Sequence, residues 1–417
     1  MRTISQCRAC SSDKLEQILD LGEQHVSDFR RDKSKTNKYP LVGVICTDCM
    51  LVQLKHTTPS QEMYHENYGF KSGVSDSIKN DLKEIVEVAL SFNSTARKWL
   101  DIASNDGTLL SCVPRPIYRV GIDPIKKYCK EAEKHANRVV NAFFNASHFA
   151  EYSVGDGRAD YEQFDIITSI SCFYDMDDPN DFVAGVKKLM TDSSVWVIQQ
   201  NYLLPTMELN AIDNFCHEHL EYYTLLSLEN LLDRHDLEVI DVTTSMVNGG
   251  SLRTVVAKKG AHYVKKRVQE QRGIEAEKGL YMPETYHEFG ERALKNVKKL
   301  REMLDNMVKA GKKVYILAAS TRGATIWQAA GITEKLVPFA VERNPEKVGK
   351  YFSAIGIPII SEEQARKDKP DFMIIGPWFF ADEIIDREIE YLKAGGELIQ
   401  PLPELLIIKE GTWKANQ

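Results

Sequence analysis

The chain has 417 residues, of which 43% are hydrophobic and 27% charged, enough apolar material for two or three cores and too long for one compact domain. Its formal charge of −7 and the absence of a long Lys/Arg run argue against a nucleic-acid partner held by phosphate contacts, which needs a concentrated basic face. No stretch approaches the roughly 20 apolar residues that span a bilayer, and the N-terminus lacks a signal-peptide core, so a soluble cytoplasmic protein with no membrane partner is expected.

Eight cysteines in such a chain are read for metal or catalysis before disulfides. Cys7-Arg-Ala-Cys10 and Cys46-Thr-Asp-Cys49 are paired knuckles separated by turn-rich and strand-like sequence. Tetrahedral zinc takes four soft ligands, and each knuckle supplies two sulfurs to one ion. Four cysteines leave no open position, so the predicted zinc is structural and staples a small module over residues 1–57.

Residues 58–97 read as a helical connector. In "SDSIKNDLKEIVEVALSF" the apolar positions 78, 82, 85, 86 and 89 follow a helical period after a Ser/Asp start. The irregular stretch before it carries Tyr64, Tyr68, Phe70 and Lys71, which either face a ligand or pack.

From 98 to 258 short apolar strands alternate with helices, "KWLDIAS", "YRVGIDP", "FDIITSIS" and "SVWVIQQ", implying a parallel sheet covered on both faces. The first strand ends at Asp101 and leads to a turn at Gly107, where the backbone is expected to pass close to a ligand. The second ends at Asp123, about twenty residues on, placed for the ribose hydroxyls of an adenosine group. With neither a GxGxxG loop nor a P-loop present, this combination favours S-adenosylmethionine over a nicotinamide.

The stretch "NFCHEHLEYY" sets His217, Glu218 and His219 side by side. A metalloprotease helix needs HExxH, and here the fifth position is Glu221. Histidine beside a carboxylate suits proton transfer; the alternative is a loop histidine making a structural hydrogen bond. A Gly-Gly turn, "NGGSLR", then opens another strand. Residues 259–310 form a charged helical linker whose charge run is most simply a solvated face. A second strand–turn–helix pattern fills 311–417.

In their order and separation, the paired knuckles, "NYGFKSGVSDS", "LDIASNDGTLL", "HEH", "NGGSLR", "AASTRGAT" and "VERNPEKVGKY" make the chain resemble the nucleotide-sugar C-methyltransferases over essentially its full length. The resemblance implies an α/β protein: a zinc module, a class I methyltransferase Rossmann-like domain, and a second Rossmann-like domain enclosing a cleft for a sugar nucleotide. It implies methyl transfer from S-adenosylmethionine to a carbon beside a ketone, once a base has formed the enolate. His219 is the implied base and Glu218 its support, with His217 and Tyr222 as further candidates. Cys216 and Asp175 stand where the family commonly has Tyr and His, so a sugar oxygen or nitrogen acceptor stays open, as does a non-catalytic sugar-nucleotide-binding module. Cofactor contacts are expected from Asp101, Asn105, Asp106, Gly107, Asp123 and Gln199. Asn105 and Asp106 have a helix-capping alternative. Substrate contacts are expected from Tyr68, Lys71, Asn248, Gly249, Gly250, Arg253, Ser320, Thr321, Arg322 and Glu342. The oligomeric state is not read from the sequence.

Overall fold

The computed structural model describes residues 1–34, 36–64, 71–152 and 159–412. The N-terminal part is an antiparallel sheet of β1 (Leu15–His25), β2 (Lys38–Cys46) and β3 (Val52–Leu54). Its fourth strand is not local: Glu221–Tyr222, just past the His-Glu-His stretch, pairs with Gln53 and Val52. The module expected over 1–57 is thus completed by a distant segment, because a small sheet gains core by pairing its edge. Phe29–Arg30 leaves it altogether and pairs with Tyr351–Phe352 near the other end of the chain.

The helix α1 (Asp76–Phe92) is capped by the Ser75 side chain, which accepts from the Ile78 N–H. Its buried positions Leu82, Ile85, Val86 and Ala89 pack on Trp99, Val195, Val197 and Val255. Residues 76–92, expected within a connector, are therefore a covering helix of the sheet that follows; the same apolar stripe that predicts the helix demands a surface to bury it.

That sheet contains β4 (Lys98–Ile102), β5 (Tyr118–Asp123), β6 (Arg138–Asn141), β7 (Phe164–Ile170), β8 (Met190–Asn201), β9 (Leu237–Ser245) and β10 (Ser251–Lys258). The order across it is β9-β10-β8-β7-β4-β5-β6. Strands β4 to β8 pair in parallel and β10 runs antiparallel to both neighbours, which is the class I methyltransferase arrangement. The order reverses direction at β4, so a crevice opens at the carboxyl ends of β4, β5 and β7.

The C-terminal sheet has a parallel centre, β15-β14-β11-β12-β13, built from β11 (Val314–Leu317), β12 (Ala340–Glu342), β13 (Ile357–Ser361), β14 (Phe372–Ile375) and β15 (Glu397–Gln400). This second Rossmann-like unit joins the first through Lys266–Glu277 and the long helix α2 (Pro283–Lys309).

The charge run in that linker is solvated on one side only. Helix α2 buries Tyr286, Phe289, Ala293, Val297, Leu300 and Leu304 at helical spacing, and packs across β1 of the zinc module. A Cβ at Gly290 would lie 1.7 Å from the Ile18 carbonyl oxygen, so the two backbones approach closely there. Glu275, charged but fully buried, accepts from the N–H groups of Leu225 and Leu226 at the start of helix Leu225–Asp233 and from the Tyr202 hydroxyl. Its carboxylate satisfies donors that a helix leaves unpaired. One apolar core contains Ile18 and Ile45 of the zinc module, Leu100 and Phe215 of the middle unit, Leu300 of α2 and Ile316 of the C-terminal sheet.

Candidate active site

The crevice beyond β4 is an open cleft of ≈ 490 Å³ lined by Ser72, Asp81, Asp101, Ser104, Gln199 and Asn248, among others. The turn that shapes it reads Asp101-Ile-Ala-Ser-Asn-Asp-Gly, with left-handed backbone at Ala103 (φ 58°), Asn105 (φ 48°) and Gly107 (φ 79°). This alternation curls the chain back under the cleft. Asp101 accepts from Thr168 Oγ1 at 2.7 Å; burial, opposed by that bond and helped by the nearby Asp123 charge, pushes its carboxyl up to about 7. Asp123 accepts from the Ile125 and Asn105 N–H groups at 2.8 and 2.9 Å, and burial raises its pKa. Each bonded oxygen retains a second lone pair with which to accept a ribose hydroxyl.

Several expected cofactor contacts are instead parts of the wall. Asp106 accepts from Thr108 Oγ1 at 2.6 Å and from the Gly73 N–H at 3.0 Å, capping the following turn and holding the 72–74 segment. Asn105 accepts from the Ser72 N–H at 3.2 Å. Gly107 is required for packing rather than ligand approach: a Cβ there would lie 2.7 Å from Ala132 Cα. Gln199 lines the cleft, but its amide donates to Asp81 at 2.5 Å and accepts from Arg253 Nε at 2.7 Å.

Arg253, expected to meet substrate, completes this buried network through Asp81 and Glu84, both at 2.8 Å, with 3% of its side chain exposed. Burying a guanidinium requires that most of its five donors be matched, which ties Arg253 to its neighbours. The sequence carried no signal for Asp81, on a helix far along the chain.

The His-Glu-His segment lies in a turn between Ile212–Asn214 and strand Glu221–Tyr222. His219 Nδ1 lies 2.9 Å from the Asn214 carbonyl oxygen. A carbonyl only accepts, so Nδ1 carries the hydrogen and Nε2 keeps its lone pair. The Tyr174 ring stands edge-on to the imidazole at 4.5 Å. Burial, with the Arg322 charge adding to it against the Asn214 bond, brings His219 down to about 4. Burial pushes the adjacent Glu218 up to about 7. Glu218, His219 and Cys216 each direct a ligand-type atom to a common point, all within 4.8 Å of one another. Asp175 is close by: its Oδ2 accepts from the Tyr64 hydroxyl at 2.9 Å, and burial together with the Glu218 charge holds its carboxyl well above the usual range.

The other two catalytic candidates are not brought to this point. The His217 ring is directed to the Tyr39 carbonyl of the zinc module, with Nε2 at 3.1 Å. The Tyr222 ring stacks on Phe215 at 4.1 Å while its backbone extends the zinc-module sheet.

The C-terminal unit reaches the same region through Arg322. Its Nη1 donates to the Asn248 carbonyl at 2.7 Å, its Nη2 pairs with the buried Asp213 at 3.0 Å, and its guanidinium lies 4.7 Å from the centre of the Phe379 ring. Asn248, Gly249 and Gly250 form a left-handed turn (φ 57°, 85° and 117°). The N–H groups of both glycines are used inside it, bonding to Met246 and Val247 carbonyls at 3.1 and 3.2 Å, and do not serve as free ligand donors. Gly250 is needed because a Cβ would meet Pro205 Cγ at 2.5 Å. Ser320 Oγ is 3.5 Å from the Gly323 N–H and the Thr321 carbonyl accepts from Ala324, both local turn bonds. Glu342 accepts from the Arg343 and Asn344 N–H groups, at 2.9 and 3.1 Å, and pairs with Lys347. Lys71 pairs with Glu131 at 2.6 Å. Tyr68 lies outside the described residues.

Three family models cover the chain in succession: a zinc binding domain at residues 7–64, a methyltransferase domain at 76–242, and a C-methyltransferase C-terminal domain at 246–403. Together the three matches span most of the chain between residues 7 and 403. Among curated proteins it is similar to C-methyltransferase NovU of Streptomyces niveus, 28% identical over 416 residues and covering 98% of each chain. Among solved structures it is similar to the plantazolicin methyltransferase BpumL in complex with SAH (15% identity, 42% of this chain and 82% of that one, TM-score 0.32). It is also similar to an S-adenosylmethionine-dependent methyltransferase from Clostridium acetobutylicum ATCC 824 (14% identity, 45% and 94%, TM-score 0.34). At these scores neither structural likeness bears on substrate or mechanism.

The enzyme is an S-adenosylmethionine-dependent methyltransferase with a zinc module. Cys7, Cys10, Cys46 and Cys49 converge with their sulfurs within 4.8 Å of one another, the Cys7–Cys49 and Cys10–Cys46 pairs at 3.5 Å. Zn–S bonds of about 2.3 Å in a tetrahedron put sulfurs roughly 3.8 Å apart, so the set fits one ion. Gln53 donates to Cys7 Sγ at 3.1 Å while its carbonyl accepts from the Arg8 N–H at 3.0 Å, orienting a ligand from outside the metal shell. The enzyme's cleft likewise fits the cofactor: a carboxylate at each of two strand ends beside a curled turn suits an adenosine ribose and a cationic methionine. Among the described residues, no helix is long and apolar enough to cross a membrane.

Proposed function

We propose that this enzyme methylates a carbon beside the ketone of a nucleotide-linked deoxysugar, with His219 as the base. The observation that carries the reading is the His219–Asn214 bond: Nδ1 is committed to a carbonyl, leaving Nε2 unprotonated in a buried site, as abstraction of a carbon-bound proton requires. Bound S-adenosylmethionine supplies an electrophilic methyl group. Asp101 and Asp123 would orient it from the ends of β4 and β5, with Gln199 in the wall across the cleft.

His219 takes the proton at Nε2, and its imidazolium then rests against the Asn214 carbonyl. Glu218 alongside can relay that proton or balance its charge. Arg322, beside His219 and joined to the Asn248 loop, closes the C-terminal unit over the site and offers positive charge where an enolate or a diphosphate would need it. The similarity to C-methyltransferase NovU over 98% of each chain supports carbon as the acceptor.

The test is incubation with nucleotide keto sugars in deuterated water. Exchange of the hydrogen beside the ketone should occur without S-adenosylmethionine and vanish in His219→Ala. Methyl transfer to a hydroxyl or amine with no such exchange rejects carbon chemistry.

A further inference from the structure

The turn that carries His219 also carries Glu218 and, at the spacing of a CxxC knuckle, Cys216. Within it the His219 N–H donates to the Cys216 carbonyl at 3.1 Å. Cys216-His-Glu-His219 therefore presents a sulfur and an imidazole as Cys46-Thr-Asp-Cys49 presents two sulfurs, with the Glu218 carboxylate as a third donor.

We propose that Cys216, Glu218 and His219 form a second metal site, for a thiophilic divalent cation such as Zn²⁺. Their ligand atoms lie within 4.8 Å of one another. Zn–S bonds of about 2.3 Å and Zn–N or Zn–O bonds of about 2.0 Å place tetrahedral ligand atoms roughly 3.3–3.5 Å apart, so the three side chains need to close by at most about 1.5 Å. Nδ1 of His219 is bonded to the Asn214 carbonyl, so Nε2 is the ligating nitrogen and the carbonyl orients the ring from outside, the usual arrangement for a metal-bound histidine.

Cys216, Glu218 and Asp175 face the site together and offset the Arg322 charge that also reaches His219. Asp175 Oδ1 is buried with no hydrogen-bond partner among the described residues, and the Asp175 carboxyl is close enough to feel the Glu218 charge and to act on Cys216. Sulfur with imidazole selects zinc or cobalt over magnesium or calcium, which prefer all-oxygen shells. Binding displaces the protons of the Cys216 thiol and the Glu218 carboxyl. It also takes the Nε2 lone pair, so on the reading of His219 as base, the occupied site cannot remove a proton from substrate: the metal is an inhibitor that competes for the catalytic group.

Enzyme holding one zinc per chain is titrated with Co²⁺, following heat, absorbance and zinc release together. A further equivalent should bind with a thiolate-to-cobalt charge-transfer band and without releasing zinc. Its affinity should fall by at least about tenfold in Cys216→Ser and, separately, in Glu218→Gln. No further equivalent, uptake matched by zinc released from the cysteine site, or binding equally tight in both variants overturns the proposal. The titration needs no turnover, so it succeeds or fails independently of the deuterium-exchange test of His219 as base.

Discussion

The hydrogen on His219 Nδ1 is fixed by one backbone carbonyl, so on the proposal that His219 is the base its working nitrogen is set before substrate arrives. His219→Ala should lower turnover by about 10²–10⁴-fold, the range of a positioned proton-transfer group, while circular dichroism shows a folded chain. The pH dependence follows from the direction of the shift. Burial lowers His219 to about 4, so the neutral, competent form persists well below the ordinary histidine value of about 6.5. The acid limb of kcat/KM, which reports the free enzyme, should therefore fall on the acid side of 6.5; a limb at or above 6.5 contradicts the buried, neutral base.

At the scale of elements, two contacts couple the linker to its neighbours. Glu275 satisfies two N–H groups of helix Leu225–Asp233 and the Tyr202 hydroxyl. Glu275→Ala leaves them buried and unpaired, at about 1–3 kcal/mol for such a loss, so the denaturation midpoint should fall with an unchanged m-value. Gly290→Ala places a methyl group where the Ile18 carbonyl stands, forcing α2 away from β1. Overpacking of this kind costs about 1–3 kcal/mol, and calorimetry should show a lowered Tm; an unchanged Tm would mean that α2 and β1 can separate at no cost.

Over the whole molecule, zinc and active site are joined by a strand. Glu221–Tyr222 belongs to the zinc-module sheet and begins two residues after His219. Chelating the cysteine-bound zinc should lower Tm, since a ligand held only by the native state stabilises it by mass action, and should reduce methyl transfer in parallel. Activity that survives complete zinc loss, confirmed by elemental analysis, would separate the two.

The residues legible in sequence were those whose meaning is local. A CxxC knuckle, a strand ending in Asp101 or Asp123 and the apolar stripe of α1 are each complete within a short window, because a turn or one helical face fixes which atoms meet. The proposed base His219 was read in the same way, as a titratable group beside a carboxylate. Its partner Asn214 was not, since a backbone carbonyl has no side-chain signature. Arg253 looked like a substrate contact because an arginine after a Gly-Gly turn is free as far as sequence shows. Only folding brings Asp81, 172 positions away, against it.

By itself the sequence determined the zinc knuckles, the strand–turn–helix alternation and the identities of the groups able to hold adenosine or take a proton. The tertiary structure decided which of those groups are available. It turned His217 toward Tyr39, enclosed Arg253 and Gln199 with Asp81, and closed the zinc module with a strand from beside the active site. The physical reason is that burial obliges every charge and N–H to find a partner, and which partner is nearest is a property of the packed chain.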